Sequence, residues 1–201
     1  MTITDLSQLL TPDILVYPGD DGLSMTISQE SPQTTLIRTG SHIGTHIDAP
    51  RHAFKNGRNI NEFGLSRFYG KARCVMPVIA EGKIQRPDTE PPGDCEILVV
   101  ATLWKRRTED GNSFLLDFPG FSESLTQYIL DRGFKLVATD VPSVDRDSGF
   151  SVHNALLGAD VPLAEGLVIP ERLIGRDFVF AAFPLNIGCD SSPVRAVAIE
   201  H

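Results

Sequence analysis

The segment Ser41-His42-Ile43-Gly44-Thr45-His46-Ile47-Asp48-Ala49-Pro50-Arg51-His52 constrains this chain more than any other. His42, His46, Asp48 and His52 all fall at even positions, so an extended chain presents them on one face and Ile43 and Ile47 on the other. A helix fits less well, because Asp48 would point away from His42 and His46 and Pro50 would break it. A flat strand does not suffice either. Side chains four apart in a strand are roughly 13 Å apart, and one ion with bonds near ~2 Å cannot bridge that distance. The segment must therefore curl. Gly44 lies between the two histidines, where it permits the bend and removes a side chain that would crowd an ion. Imidazole and carboxylate without thiolate suit Zn²⁺, and also Mn²⁺ or Fe²⁺.

The rest of the chain reads as α/β. Ser24–Gln29 and Thr34–Arg38 are predicted strands around a turn. Ala72–Ala80, Glu96–Thr102, Lys135–Thr139, Phe178–Pro184 and Val194–Ile199 are apolar runs of strand length. Phe121, Leu125, Tyr128 and Ile129 repeat at helical spacing, with Ser122 placed to cap the start and Gly133 to end the helix. A second short helix is predicted from about His153, and Trp104–Gly120 reads as a surface excursion. At least seven strands and two or three helices over 201 residues suggest a single mixed α/β domain, 1–201, with a β-rich core.

Charge and cysteine content narrow the partners. A net charge of −8 argues against nucleic acid and anionic membranes. Three widely spaced cysteines with no CxxC pair fit a reducing compartment, the N-terminus carries no basic leader, and no run is long enough to span a bilayer, so a cytoplasmic protein is expected.

The run His42-Ile-Gly-Thr-His46-Ile-Asp48-Ala-Pro-Arg-His52 resembles the HxGTHxDxPxH signature of the cyclase-like metal-dependent hydrolases. That family includes bacterial kynurenine formamidases (arylformamidases) and isatin hydrolases. Further similar segments are Asp5-Leu6-Ser7, Tyr17-Pro18-Gly19-Asp20, Thr139–Asp145, His153-Asn-Ala-Leu-Leu, Glu165-Gly166 and Ser192-Pro193-Val-Arg195-Ala.

The resemblance implies a swivelling α/β fold, assembled as a homodimer or homotetramer. It implies that His42, His46 and Asp48 bind metal, with Asp48 bridging to a second ion held by His153 and Glu165, and that His52 donates and accepts the proton. The two-ion zinc site belongs to the formamidases and a single Mn²⁺ to the isatin hydrolases. Tyr17 stands where formamidases usually carry a Trp that stacks on the aromatic substrate, and Thr45 where many carry Ala. The implied activity is hydrolysis of a small amide, first an N-formyl arylamine such as N-formylkynurenine, then a lactam such as isatin. A protein that binds metal or ligand without turnover is the alternative of another class, and His52 argues against it.

Other residues have two readings. Cys189 is a nucleophile or a small buried thiol. Asp140 and Asp145 orient ligand histidines or serve as loop carboxylates and caps. Arg195 holds a substrate carboxylate or a structural one. Trp104 reads as packing, and the terminal His201 as unattached.

Overall fold

Four consecutive apolar residues without polar alternation call for a strand covered on both faces. Ile97–Val100 is such a run, and all four of its residues are fully buried. The computed structural model describes residues 1–104, 111–146 and 149–200, so His201 and residues 105–110 of the predicted excursion lie outside it. Its strands are β1 (Thr2–Asp5), β2 (Ser24–Ile27), β3 (Thr35–Arg38), β4 (His46–Asp48), β5 (Tyr69–Val75), β6 (Ile79–Ala80), β7 (Lys83–Ile84), β8 (Ile97–Val100), β9 (Gly120–Phe121), β10 (Leu136–Thr139), β11 (Leu163–Glu165), β12 (Asp177–Ala181), β13 (Ser191–Pro193) and β14 (Val197–Glu200). Its helices are α1 (Pro50–Ala53), α2 (Gly111–Leu116), α3 (Glu123–Arg132) and α4 (Ser151–Gly158).

Nine strands form one sheet in the order β1-β14-β12-β5-β8-β10-β11-β4-β13. The central β5, β8, β10 and β11 run parallel, and the strands outside them are antiparallel to their neighbours. Side-chain alternation divides the core in two. Ile47, Ile97, Val99, Leu136, Ala138 and Ala164 pack with Leu6, Phe63, Phe68 and Leu173. Leu98, Val100, Val137 and Leu163 pack under Leu125, Tyr128 and Ile129 of α3 and Leu156 and Leu157 of α4. Each large side chain buried this way stabilises the fold by about 1.5–3 kcal/mol.

The predicted helix is present with the expected caps. Ser122 Oγ accepts from Leu125 N at 3.1 Å, and Gly133 is left-handed at φ 66°. Phe121 is not helical. It pairs with Ile84 in parallel register and its N–H donates to Val144, so its helical spacing from Leu125 is coincidental. The Ala72–Ala80 run divides into β5 and β6 around Pro77, which has no N–H for a ladder. The predicted β2–β3 hairpin pairs as expected but is exposed along both strands. The stretch before Gly120 is not all surface, since Phe114 and Phe118 are 4% and 1% exposed. Trp104 packs against the α3 side of the core and donates from Nε1 to the Phe114 carbonyl. Among the described residues no helix is long and apolar enough to cross a membrane.

Candidate metal centre

β4 alternates polar, apolar, polar. Ile47 is buried in the core on one side of the sheet, and His46 and Asp48 project to the other. β4 lies between β11 and β13, with His46 opposite Glu165 and Asp48 opposite Leu163 and Ser191. That register brings Glu165 beside His46, Nε2 to Oε2 at 3.7 Å. The first turns of α4 carry His153 over the same spot, with Nε2 3.6 Å from Asp48 Oδ2 and 3.5 Å from Glu165 Oε1. His42, in the turn before β4, places Nδ1 2.8 Å from Asp48 Oδ1. His42, His46, Asp48, His153 and Glu165 are thus gathered in one place.

The extended stripe does not continue to His52. Pro50 opens a helical turn rather than breaking one, because the first position of a helix needs no N–H. His52 therefore sits on α1, partly exposed, with its ring centroid 4.2 Å from that of His42 and 5.4 Å from that of His153. The bend at Gly44 is real, at φ +58°, but the reason for glycine differs from the crowding of an ion. A Cβ there would lie 2.7 Å from Leu10 Cδ2 and 3.0 Å from Ile14 Cδ1, in the N-terminal segment that crosses over it. Gly166 faces it at φ +67°, where a Cβ would lie 2.5 Å from the Gly44 carbonyl oxygen. Thr45 Oγ1 and Gln8 Nε2 both donate to the Gly166 carbonyl at 2.8 Å, fastening the His42–Asp48 segment to Glu165.

Asp48 is 1% exposed, and neither of its oxygens accepts a hydrogen bond. The close approach of His42 is not aligned for donation. A buried carboxylate without donors is costly unless a cation meets it. Ligand atoms around a tetrahedral ion with bonds of 2.0–2.1 Å stand roughly 3.4 Å apart, close to the 3.5 Å between His46 Nε2 and Asp48 Oδ1 and to the His153 separations. The donors are nitrogen and oxygen only, the set that suits Zn²⁺ or Mn²⁺. Residues and group fit: the ligand atoms of His42, His46 and Asp48 lie within 4.8 Å of one another, as do those of Asp48, His52 and His153, and Glu165 stands beside His46 and His153.

Hydrogen bonds behind the rings set which nitrogen faces inward. His46 Nδ1 donates to the Gly44 carbonyl at 3.0 Å, and His153 Nδ1 donates to Asp145 Oδ2 at 2.8 Å, leaving Nε2 of each toward Asp48. Asp145 thus stands behind the His153 ring and also caps the first turn of α4, which joins the two readings the sequence left. The site is strongly anionic. Burial opposes charge on His153, yet Asp145, Asp48 and Glu165 hold its pKa at about 12. Burial likewise opposes charge on His42, and Asp48 and Asp190 raise it to about 10. Burial would raise Asp48, but His42 and His46 draw it well below the ordinary carboxylate range.

The centre opens into a cavity of about 430 Å³ that is also lined by Tyr17, Pro142 and Phe150. Tyr17 is half-exposed and edge-on to Phe118 at 6.5 Å, and burial together with the Glu165 carboxylate pushes its phenol up. The other sequence candidates lie elsewhere or serve the frame. Asp140 accepts from Thr102 and Leu103 backbone and hydroxyl donors. Arg195 makes a two-toothed ion pair with Asp5 at 2.8 and 2.7 Å, the structural of its two readings. The Cys189 backbone carbonyl accepts from Ile60 N. Asp190 was missed. It contacts both His42 and His52, and its only sequence signal is its place before Ser191-Ser192-Pro193, which reads as an ordinary turn.

Known proteins resemble this chain in sequence and in fold. The kynurenine formamidase of Salinibacter ruber (strain DSM 13855 / M31) is 33% identical over 211 residues, covering 98% of this chain and 97% of that protein. Two solved structures share the fold. A potential metal-dependent hydrolase with cyclase activity superimposes with a TM-score of 0.83 at 23% identity, covering 98% of this chain and 96% of its own. Isatin hydrolase A from Labrenzia aggregata, bound to benzyl benzoate, does so with 0.78 at 21% identity, covering 98% and 93%. The model of the putative cyclase family matches residues 4–146, and the chain belongs to that family.

Proposed function

We propose that this chain is a metal-dependent amide hydrolase that cleaves a non-peptide C–N bond, with an N-formyl arylamine such as N-formylkynurenine as substrate. The observation that carries the reading is the buried Asp48 carboxylate, without a hydrogen-bond donor and ringed by His42, His46 and His153. The 33%-identical kynurenine formamidase supports the substrate class. The approach of His153 to both Asp48 and Glu165 supports two ions, and the all-nitrogen-and-oxygen donor set supports zinc, with manganese as the alternative. Three unpaired cysteines support a cytoplasmic setting. A homodimer or homotetramer completes the proposal.

A divalent metal, when bound, supplies a water acidified toward neutral pH and a Lewis acid for the carbonyl oxygen. The chain's own residues do the rest. His42, His46, Asp48, His153 and Glu165 hold the cation side of the pocket. Tyr17 and Phe150 offer aromatic faces to an aryl group. His52 sits at the edge of the centre, where it takes a proton from the attacking water as the new C–O bond forms. It returns that proton to the nitrogen as the C–N bond breaks. Water and amide thus become the free arylamine and formic acid, which ionises to formate by releasing its proton to solvent.

The test is metal analysis of purified protein with initial rates on N-formylkynurenine, formanilides, isatin, other lactams and esters, before and after chelation and with Zn²⁺ or Mn²⁺ added back. One or two equivalents of metal and chelator-sensitive formamide hydrolysis are expected. Preference for isatin with a single Mn²⁺ would replace the substrate by a lactam. Full activity in a metal-free preparation would sink the reading. Metal without turnover of any substrate would favour a non-catalytic binding protein.

A further inference from the structure

Each ring at the centre has an acceptor behind it, and one acceptor serves two rings. Asp190 Oδ2 lies 2.9 Å from His42 Nε2 and 3.5 Å from His52 Nδ1. Its other oxygen accepts from Ser41 Oγ at 3.2 Å. Its backbone carbonyl accepts from Ala49 N at 2.8 Å, at the junction of β4 and α1. Side chain and backbone of Asp190 are therefore both tied to the segment that carries the histidines. The two rings it touches are tilted 45° to each other.

We propose that Asp190 is a positioning residue that couples the metal centre to the proton carrier, fixing the inward nitrogens of His42 and His52 through a single carboxylate oxygen. With Nε2–H of His42 donated to Asp190, Nδ1 is left toward Asp48 and the cation. With Nδ1–H of His52 donated to the same oxygen, Nε2 is left toward water and substrate. The second contact is long for a hydrogen bond, and catalytic contacts of this kind commonly close only around substrate. A carboxylate behind a base also stabilises the imidazolium that forms when the base takes its proton. Carboxylates behind metal-ligating histidines set ring orientation in the same way. Asp190 belongs to none of the proposed ligand positions, and its role rests on the amide-hydrolase reading only where turnover is measured.

The competing arrangement is that His42, His52 and Asp190 themselves hold an ion, since their ligand atoms lie within 4.8 Å of one another. Four variants decide between them: Asp190→Asn, Asp190→Glu, His52→Ala and the double variant of Asp190→Asn with His52→Ala. Each is measured for metal stoichiometry, for Zn²⁺ and Mn²⁺ affinity by chelator competition, for kcat and KM, and by long-range ¹H–¹⁵N spectra of the imidazoles. Asp190→Asn is expected to keep the stoichiometry, weaken affinity by about 10–100-fold, and lower kcat by about 10²-fold or more with little change in KM. In the His52→Ala background it should add little to the kcat loss while still weakening the metal. The spectra should show the His52 proton moving from Nδ1 to Nε2, and Asp190→Glu should recover part of kcat. Loss of an equivalent of metal would make Asp190 a ligand and overturn the proposal, as would an unchanged His52 tautomer or a fully additive kcat loss. If no amide is turned over, the amide-hydrolase reading fails separately, and the ring spectra and metal affinity alone decide the role of Asp190.

Discussion

Asp48 ends β4 and Asp140 follows β10, and both are almost fully buried, at 1% and 4% exposure. Their surroundings are opposite. Asp140 accepts from Thr102 N, Thr102 Oγ1 and Leu103 N at 2.7–3.0 Å, and it holds the turn after β8. Burial pushes its pKa up, and those donors restrain the rise. Asp48 has no such donors, faces three imidazoles, and is drawn well below the ordinary range despite its burial. One carboxylate is satisfied by the chain. The other is left for something the chain does not contain. Burial alone does not distinguish a structural carboxylate from a ligand, and the donor inventory does.

The largest effects test that contrast directly. Asp48→Ala should abolish turnover and lower metal stoichiometry, because both proposed cation positions use this carboxylate, while the metal-free protein loses less stability than Asp140→Ala does. Asp140→Ala should leave the Thr102 and Leu103 donors buried and unpaired, costing about 3 kcal/mol or more, with metal content unchanged in whatever fraction folds. Denaturant unfolding of metal-free protein and metal analysis of the same two samples check both halves. If Asp48→Ala destabilises the metal-free protein as much as Asp140→Ala does, the contrast between the two carboxylates fails.

A smaller loss is expected from His52→Ala, which should keep its metal and lose about 10²–10⁴-fold in turnover. Its ring touches His42, His153 and Phe150, so loss of metal would instead make it a ligand beside Asp48 and His153. Near-normal turnover with metal retained would mean that His52 only packs. Glu165→Ala belongs to the same series: lowered stoichiometry or affinity is expected, and unchanged binding and rate would reduce the centre to one ion.

What could be read from the sequence follows the distance over which each feature is set. His42, His46, Asp48 and His52 fall within eleven residues, and the shared side of the first three is a local property of β4 and the turn before it, while His52 returns to them from α1. His153 and Glu165 were reached only through the family resemblance. Glu165 reaches His46 because β11 pairs with β4 in a register that nothing in either three-residue strand announces, and His153 reaches Asp48 only through the packing of α4 over that pair. β4, β11 and β13 are too short for a period of two to stand out, whereas the longer buried runs of β8 and β10 were plain. Asp190 stayed hidden for the same reason, arriving through the pairing of β13 with β4. Gly44 was legible as a bend, but the contacts that forbid a side chain there come from Leu10 and Ile14, far from it in any local pattern.

Asp145 is intermediate between the two carboxylates and gives the smallest and most discriminating effect. Like Asp140 it accepts from backbone, from Val152 N at 3.1 Å and His153 N at 2.9 Å, capping the first turn of α4, which Phe150 enters in a left-handed conformation at φ 49°. Like Asp190 it stands behind a ring, accepting from His153 Nδ1 at 2.8 Å. Asp145→Asn keeps an oxygen for the helix cap but can turn an N–H toward His153, favouring the tautomer that points a proton at the cation. Metal affinity should fall by about 10–100-fold with little change in the metal-free unfolding midpoint. Asp145→Ala should lose both roles, adding about 1 kcal/mol from the missing cap. Chelator competition and denaturant unfolding on the two variants separate the roles. Equal loss of stability in both, with metal affinity untouched, would show that Asp145 caps the helix and nothing more, and would place it beside Asp140 rather than at the metal centre.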